Sequence, residues 1–310
     1  MNPAFSVVIF TTVAGAAQGL VVTLALAMLG GLSISPGFAS AALAVAEAML
    51  LVALGASFGH LGRPERAWRA VLMWRTSWLS REVIVLPTFM AVVALWWLAL
   101  HNGINSPLLL LLPLAAALFA FLLWYCTAMI YACLRFIQEW AQPLTLVNFT
   151  LIGLSSGLVL ASALAASMGE QALLKAAGAA ALAVTLVAWA TRMLALRRNA
   201  ALKPRSTLQS ATGIRAAKLT QKSMGMSAGS FNTREFFHGV GLAALKRVKL
   251  AFIVLAFALP SLMLLWAIAT SSTAGFVLAL VFQAPGLVAE RWFFFAQARH
   301  PQNLYYQVVS

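Results

Sequence analysis

The chain has 310 residues, 62% of them hydrophobic and only 9% charged, with a formal net charge of +14 at pH 7. Soluble domains carry about 25% charged residues, so this composition cannot clothe a water-facing surface and excludes an ordinary soluble protein. The positive charge has no stacking aromatics interleaved in a soluble basic patch, which excludes nucleic acid as its explanation and leaves anionic lipid heads or an acidic partner.

Four stretches carry no charge at all: 1–46, 83–134, 140–169 and 250–289. A helix needs roughly 20 apolar residues to cross a bilayer. Backbone amides in hydrocarbon must pair within a helix or a closed barrel. Barrel strands alternate polar and apolar residues, and these runs do not. The predicted fold is therefore all-α: a bundle of eight transmembrane helices forming one polytopic domain over 1–310.

The first span is predicted at 5–29 and the second at 38–59, parted by the turn formers of "GGLSISPG". Met1 to Phe5 lacks a basic leader region, so the first span is expected to stay in the mature chain. A polar segment at 60–81 precedes span three at 82–100. "HNGINSP" then leads to span four at 107–131, and "EWAQP" to span five at 144–168. "SMGEQ" turns the chain into span six at 171–195. A long basic loop, 196–247, precedes spans seven and eight at 248–270 and 273–298, which "TSSTAG" divides.

Eight spans put both termini on one side, with the loops 60–81, 132–143 and 196–247. Twenty of the 21 Lys and Arg residues fall there, Arg192 being counted with the long loop's flank; Lys175 alone falls opposite. The positive-inside rule makes the basic side cytoplasmic. Docking of a soluble subunit would also gather arginines, whichever side that is.

The segment "RPERAWRAVLMWRTSW" reads as an amphipathic helix lying in the interface. Pro64 suits its first turn, and Trp68, Leu72 and Met73 or Trp74 recur at helical spacing. A solvated connector is the plainer alternative. His60 closes span two and Glu82 opens span three, so the two could bind a quinone head group and exchange its protons. Glu47 lies inside an apolar span, where it either ends a proton path or packs as a hydrogen-bonded neutral acid. Glu290 either pairs with a loop arginine at a helix end or contacts quinone. Cys126 and Cys133 lack metal-ligand spacing, and all four histidines lie near the faces, so neither metal nor haem is expected.

The run "HLGRPERAWRAVLMWRTSWLSRE" and the tail "ERWFFFAQARHPQNLYYQ" resemble the DmsC-type anchor subunits of the dimethyl-sulfoxide reductase family. The tail resembles in particular the sulfite dehydrogenase branch. The resemblance implies an eight-helix anchor in a bacterial cytoplasmic membrane with no metal of its own. It implies a ferredoxin-like iron–sulfur subunit as partner. A further catalytic subunit would carry a molybdenum bis-pterin guanine dinucleotide cofactor. Electrons would pass between the nearest iron–sulfur cluster and a quinone, ubiquinone or menaquinone, held in the anchor. Family motifs assign quinone function to positions matching His60 and Glu82. Arg63, Ser80, Arg81 and Glu290 join them as candidates because they sit on the same face.

Within the long loop, "NTREFFHG" could return Arg234 and His238 to the membrane surface. Two classes of function compete: a quinone-reactive anchor and a polytopic transporter. Gln18, Glu47 and Asn148 are too few to line a transport pore, and no inverted repeat is evident. For the anchor, sulfite oxidation leads, with reduction of dimethyl sulfoxide or another oxyanion as the alternative.

Overall fold

The computed structural model describes residues 1–104, 106–223, 241–301 and 303. The expected return of Arg234 and His238 to the membrane lies outside the described residues. Eight helices are long and apolar enough to cross a membrane, and no strand occurs among the described residues. In chain order they begin with α1 (Phe5–Leu29), α2 (Pro36–Phe58), α3 (Trp78–His101) and α4 (Leu111–Ala132). Then come α5 (Pro143–Met168) and α6 (Gln171–Ala200). A short helix, α7 (Leu208–Thr212), lies in the basic loop. The seventh span joins α8 (Leu242–Ile253) to α9 (Leu259–Thr270) through a π-helical turn at Val254–Ala258, and α10 (Thr273–Ala296) is the eighth.

Two boundaries depart from the charge pattern. Helix α3 starts at Trp78, because the Ser77 side chain accepts a hydrogen bond from the Ser80 amide and caps it. Glu82 is thus one turn inside the helix rather than at its opening. Helix α6 runs to Ala200, so Arg192 is a buried helix residue and no part of a loop flank.

Helices α1 and α5 form the centre: about 67% of each apolar window is buried, against 33–39% for the other six spans. Lipid supplies no hydrophobic drive between helices, so close packing of small residues must hold them. Gly15 and Gly19 of α1 face Gly153 and Gly157 of α5. A Cβ at Gly157 would lie 1.9 Å from the Gly19 carbonyl carbon, and one at Gly19 would lie 2.1 Å from the Gly153 oxygen. A second close approach sets Gly286 of α10 against the π turn, where a Cβ would meet the Ala256 nitrogen at 2.3 Å.

The face that carries the basic loops is tied together by an aromatic cluster. Tyr131 of α4 has ring contacts at 5.2–5.8 Å with Trp140, Phe149, Phe294 and Phe295. The Trp140 indole donates to the Phe294 carbonyl at 3.1 Å. The Met1 amine donates to the Ala298 carbonyl at 3.0 Å, joining the first span to the end of the last. On the opposite face the Ser35 hydroxyl donates to Glu170 at 2.7 Å.

Candidate functional site on the basic face

Between α2 and α3 the chain forms a 3₁₀ helix, Pro64–Met73, with Pro64 in its first turn. The α-helical spacing read from the sequence is replaced by a period of three. Trp68 and Val71 therefore share an edge, and Trp74 continues it. Trp68, Leu72, Met73 and Trp74 are 52–65% exposed, an apolar rim studded with arginines. The Arg69 and Arg75 guanidiniums lie over the Trp68 and Trp74 rings at 5.5 and 5.4 Å. This is the composition of a segment lying in a lipid headgroup layer.

The six candidates separate into three places. His60 follows α2 by two residues and is exposed on the rim. Partial burial lowers its proton affinity below the usual histidine range, so the imidazole stays neutral at neutral pH. Arg63 is exposed beside it, just before the 3₁₀ helix. Arg81 turns back toward the rim. Its guanidinium donates to the Trp74 and Arg75 carbonyls at 2.9 and 2.8 Å and stacks on Trp78 at 4.0 Å. That arrangement latches the polar segment to the start of α3.

Ser80 and Glu82 point inward and are buried. Glu82 accepts a hydrogen bond from the Thr127 hydroxyl of α4. No hydrogen bond or ion pair joins His60 to Glu82 among the described residues. Imidazole and carboxyl therefore occupy two levels, one at the rim and one beneath it. Phe58, Leu61, Leu79 and Tyr125 are exposed around this level, giving a lipid-facing apolar surface.

Glu290 belongs to a separate cluster. Its carboxylate sits 2.6 Å from Arg192 Nε and 3.6 Å from Arg291 Nη1. The Glu290 partner is thus a buried helix arginine from α6 and its own neighbour, in place of a loop arginine. All three residues are at most 4% exposed. Arg291 lies over the Phe149 ring at 3.8 Å, and Arg192 over Phe252 at 5.6 Å. Burying such charges is tolerable only when each finds partners. Glu47 is partly buried in α2, and its Oε2 has no hydrogen-bond partner. Thirteen residues separate it from His60, about 20 Å along a helix.

Sequence reasoning missed Thr127, Tyr131, Trp124 and the role of Arg192. None sits in a motif. Their positions matter because α4, α5, α6 and α10 converge, and helix packing in lipid leaves little trace in composition. Only Arg291, adjoining Glu290, carried a local signal. Among the described residues, no three His, Cys, Asp or Glu side chains gather where they could hold a metal ion.

Comparison with known proteins adds a second line of observation. Residues 1–296 match the family described as the DMSO reductase anchor subunit, DmsC. The chain is also 45% identical to a sulfite dehydrogenase subunit of Allochromatium vinosum, in an alignment covering 100% of both chains.

Proposed function

Because the chain belongs to the DmsC family of anchor subunits, membrane components of oxidoreductase complexes, we propose that it is the quinone-reactive subunit of a molybdopterin sulfite dehydrogenase. It would pass electrons from an iron–sulfur subunit, docked on the basic face, to quinone in the bilayer. The full-length similarity to a sulfite dehydrogenase subunit supports the substrate of the complex. The basic bias supports a cytoplasmic position for that face. The catalytic chemistry of sulfite and the molybdenum cofactor would belong to the partner.

The observation that carries the quinone reading is the pair of levels at the start of α3. Reduction of a quinone takes two electrons and two protons, so the site must combine an apolar approach with proton-exchanging groups. The exposed edge of His60 gives a hydrogen-bond donor at the rim. Glu82, one turn inside α3, gives a carboxyl away from bulk water. Arg81 holds the intervening segment closed through two backbone carbonyls. Arg63 and Ser80 flank the two levels, while Glu290 serves the buried ion cluster.

The test uses the assembled complex. His60→Ala and Glu82→Gln are each expected to lower quinone-linked sulfite oxidation roughly 100-fold, the low end for loss of a positioned proton-transfer group. Activity with an artificial soluble acceptor should stay at the wild-type level. Wild-type quinone turnover in both variants, across a range of quinone concentrations, would remove this site. The family also includes anchors of DMSO reductase; sulfoxide reduction exceeding sulfite oxidation in the same preparation would reassign the substrate.

A further inference from the structure

A small cavity lies inside the bundle, beneath the basic face. Thr11, Gly15 and Gln18 of α1 line it, with Trp124 and Thr127 of α4 and Arg291 of α10. About 10 Å³ is open to the centre of a water molecule, close to the space that one water needs. Two polar atoms at this cavity have no protein partner: the Gln18 Oε1 acceptor and the Trp124 Nε1–H donor. Both side chains are 2% exposed. Leaving either group unpaired in an apolar interior is unfavourable by about 1–3 kcal/mol. A water lying between them would satisfy both, donating to Gln18 and accepting from Trp124.

The same cavity touches Thr127, whose hydroxyl donates to Glu82. That leaves the Thr127 oxygen free to accept a hydrogen bond from the cavity side. We propose that this cavity binds a water molecule held by Gln18, Trp124 and Thr127, and that Glu82 exchanges its proton through it. The inference rests on Glu82 acting in quinone turnover.

The step moves protons only. Thr127 gives its hydroxyl proton to Glu82 while the water gives one proton to the Thr127 oxygen. One O–H bond forms at Glu82, one breaks at the water, the Thr127 oxygen loses one and gains one, and no electrons are transferred. The water recovers its proton from bulk solvent by way of a second cavity, which shares Thr11, Gly15 and Arg291 with the first and is also lined by Thr12 and Ser156. The reverse order unloads Glu82. Arg291 forms a cationic wall, which disfavours an excess proton resting on the water, so the site hands protons on without storing them.

The assembled complex with Thr127→Val is assayed for quinone-linked turnover in H₂O and D₂O, beside artificial-acceptor activity. Turnover is expected to fall roughly tenfold or more with a larger solvent isotope effect, while artificial-acceptor activity persists. Thr127→Ser should restore the rate, and Gln18→Leu should share the defect. Wild-type turnover in Thr127→Val, with Glu82→Gln impaired, overturns the relay and leaves the quinone reading standing. Full turnover in Glu82→Gln overturns the relay and removes Glu82 from the quinone site; the quinone reading itself falls if His60→Ala also keeps wild-type turnover. Should Thr127→Val fail to assemble, the unmodified complex decides. A density map that resolves ordered waters must show a peak bridging Gln18, Trp124 and Thr127, and its absence there overturns the proposal.

Discussion

Two parts of the molecule use arginine in opposite ways. In the segment between α2 and α3, Arg63, Arg66 and Arg69 are exposed, and Arg69 lies over the face of Trp68. In the interior, Arg192 and Arg291 are at most 4% exposed and converge on one carboxylate, Glu290. A surface arginine can rotate away and find water when a partner is lost. A buried one cannot. The first region can therefore vary in detail and still lie on a membrane, whereas the second ties α6 to α10 at a single geometry. Net charge counts both alike, and it says nothing about this difference.

Removing one interior partner should expose the contrast most strongly. Arg192→Ala is expected to cost roughly 3–5 kcal/mol by leaving Glu290 with one distant partner. The check is the yield and thermal midpoint of the detergent-purified complex. Replacing Arg192, Glu290 and Arg291 together by methionine should recover much of that loss, because neither a buried carboxylate nor a buried guanidinium then remains short of a partner. Equal instability in the single and triple variants would argue against the ion cluster as the cause. Alanine at the exposed Arg66 should shift the midpoint by no more than about 0.5 kcal/mol equivalent.

The helix crossing at the centre ranks next. Gly157→Ala forces a methyl group into the backbone of α1, where the space is already closed. Overpacking of this kind costs about 1–3 kcal/mol. Gly55→Ala in α2 has nothing within 4 Å of the added carbon and serves as the control. If the two variants unfold at the same temperature, close approach at Gly157 does not hold α1 to α5.

The smallest effect belongs to His60. Its proton affinity in the folded state lies below the ordinary value of 6.5, because partial burial disfavours the cation. Above that pH the ring is neutral in both folded and unfolded chains and adds no pH dependence. As pH falls below 6.5 the unfolded chain takes up the proton first, so stability declines until the folded ring also titrates. His60→Gln should flatten this part of the thermal midpoint against pH. An unchanged slope between pH 6.5 and the lower folded value would show that the ring is not desolvated.

The spans were legible because charge is nearly absent from them, and the turns because Gly, Ser and Pro punctuate them. Glu82 was found by its place after Arg81, yet its depth was not. Charge marks where chain leaves lipid, whereas a helix starts where a cap satisfies its first amides, here Ser77. The Arg192–Glu290 pair was hidden for another reason. Helices that are apolar on every face show no stripe that says which neighbour they meet. Arg192 therefore looked like one more basic flank residue, and Thr127 like an ordinary span residue. The likeness of the "HLGRPERAW" run to a known family supplied what periodicity could not, namely that His60 and Glu82 belong in one hypothesis.

The π turn at Val254–Ala258 makes the seventh span a keyed shaft. A π turn is one residue wider than the α-helical turn it replaces, so it sets the rotation of α8 relative to α9 by about 100°. Phe252, placed under Arg192, and Phe257, stacked on Trp189 at 6.4 Å, lie on either side of that key. Deleting one residue from 254–258 would restore a regular helix and keep the span long enough for a bilayer. It would also swing Phe252 and the basic run Lys246, Arg247 and Lys249 to a different bearing. In sequence alignments of such anchors, a one-residue gap here is a change of azimuth and not of length.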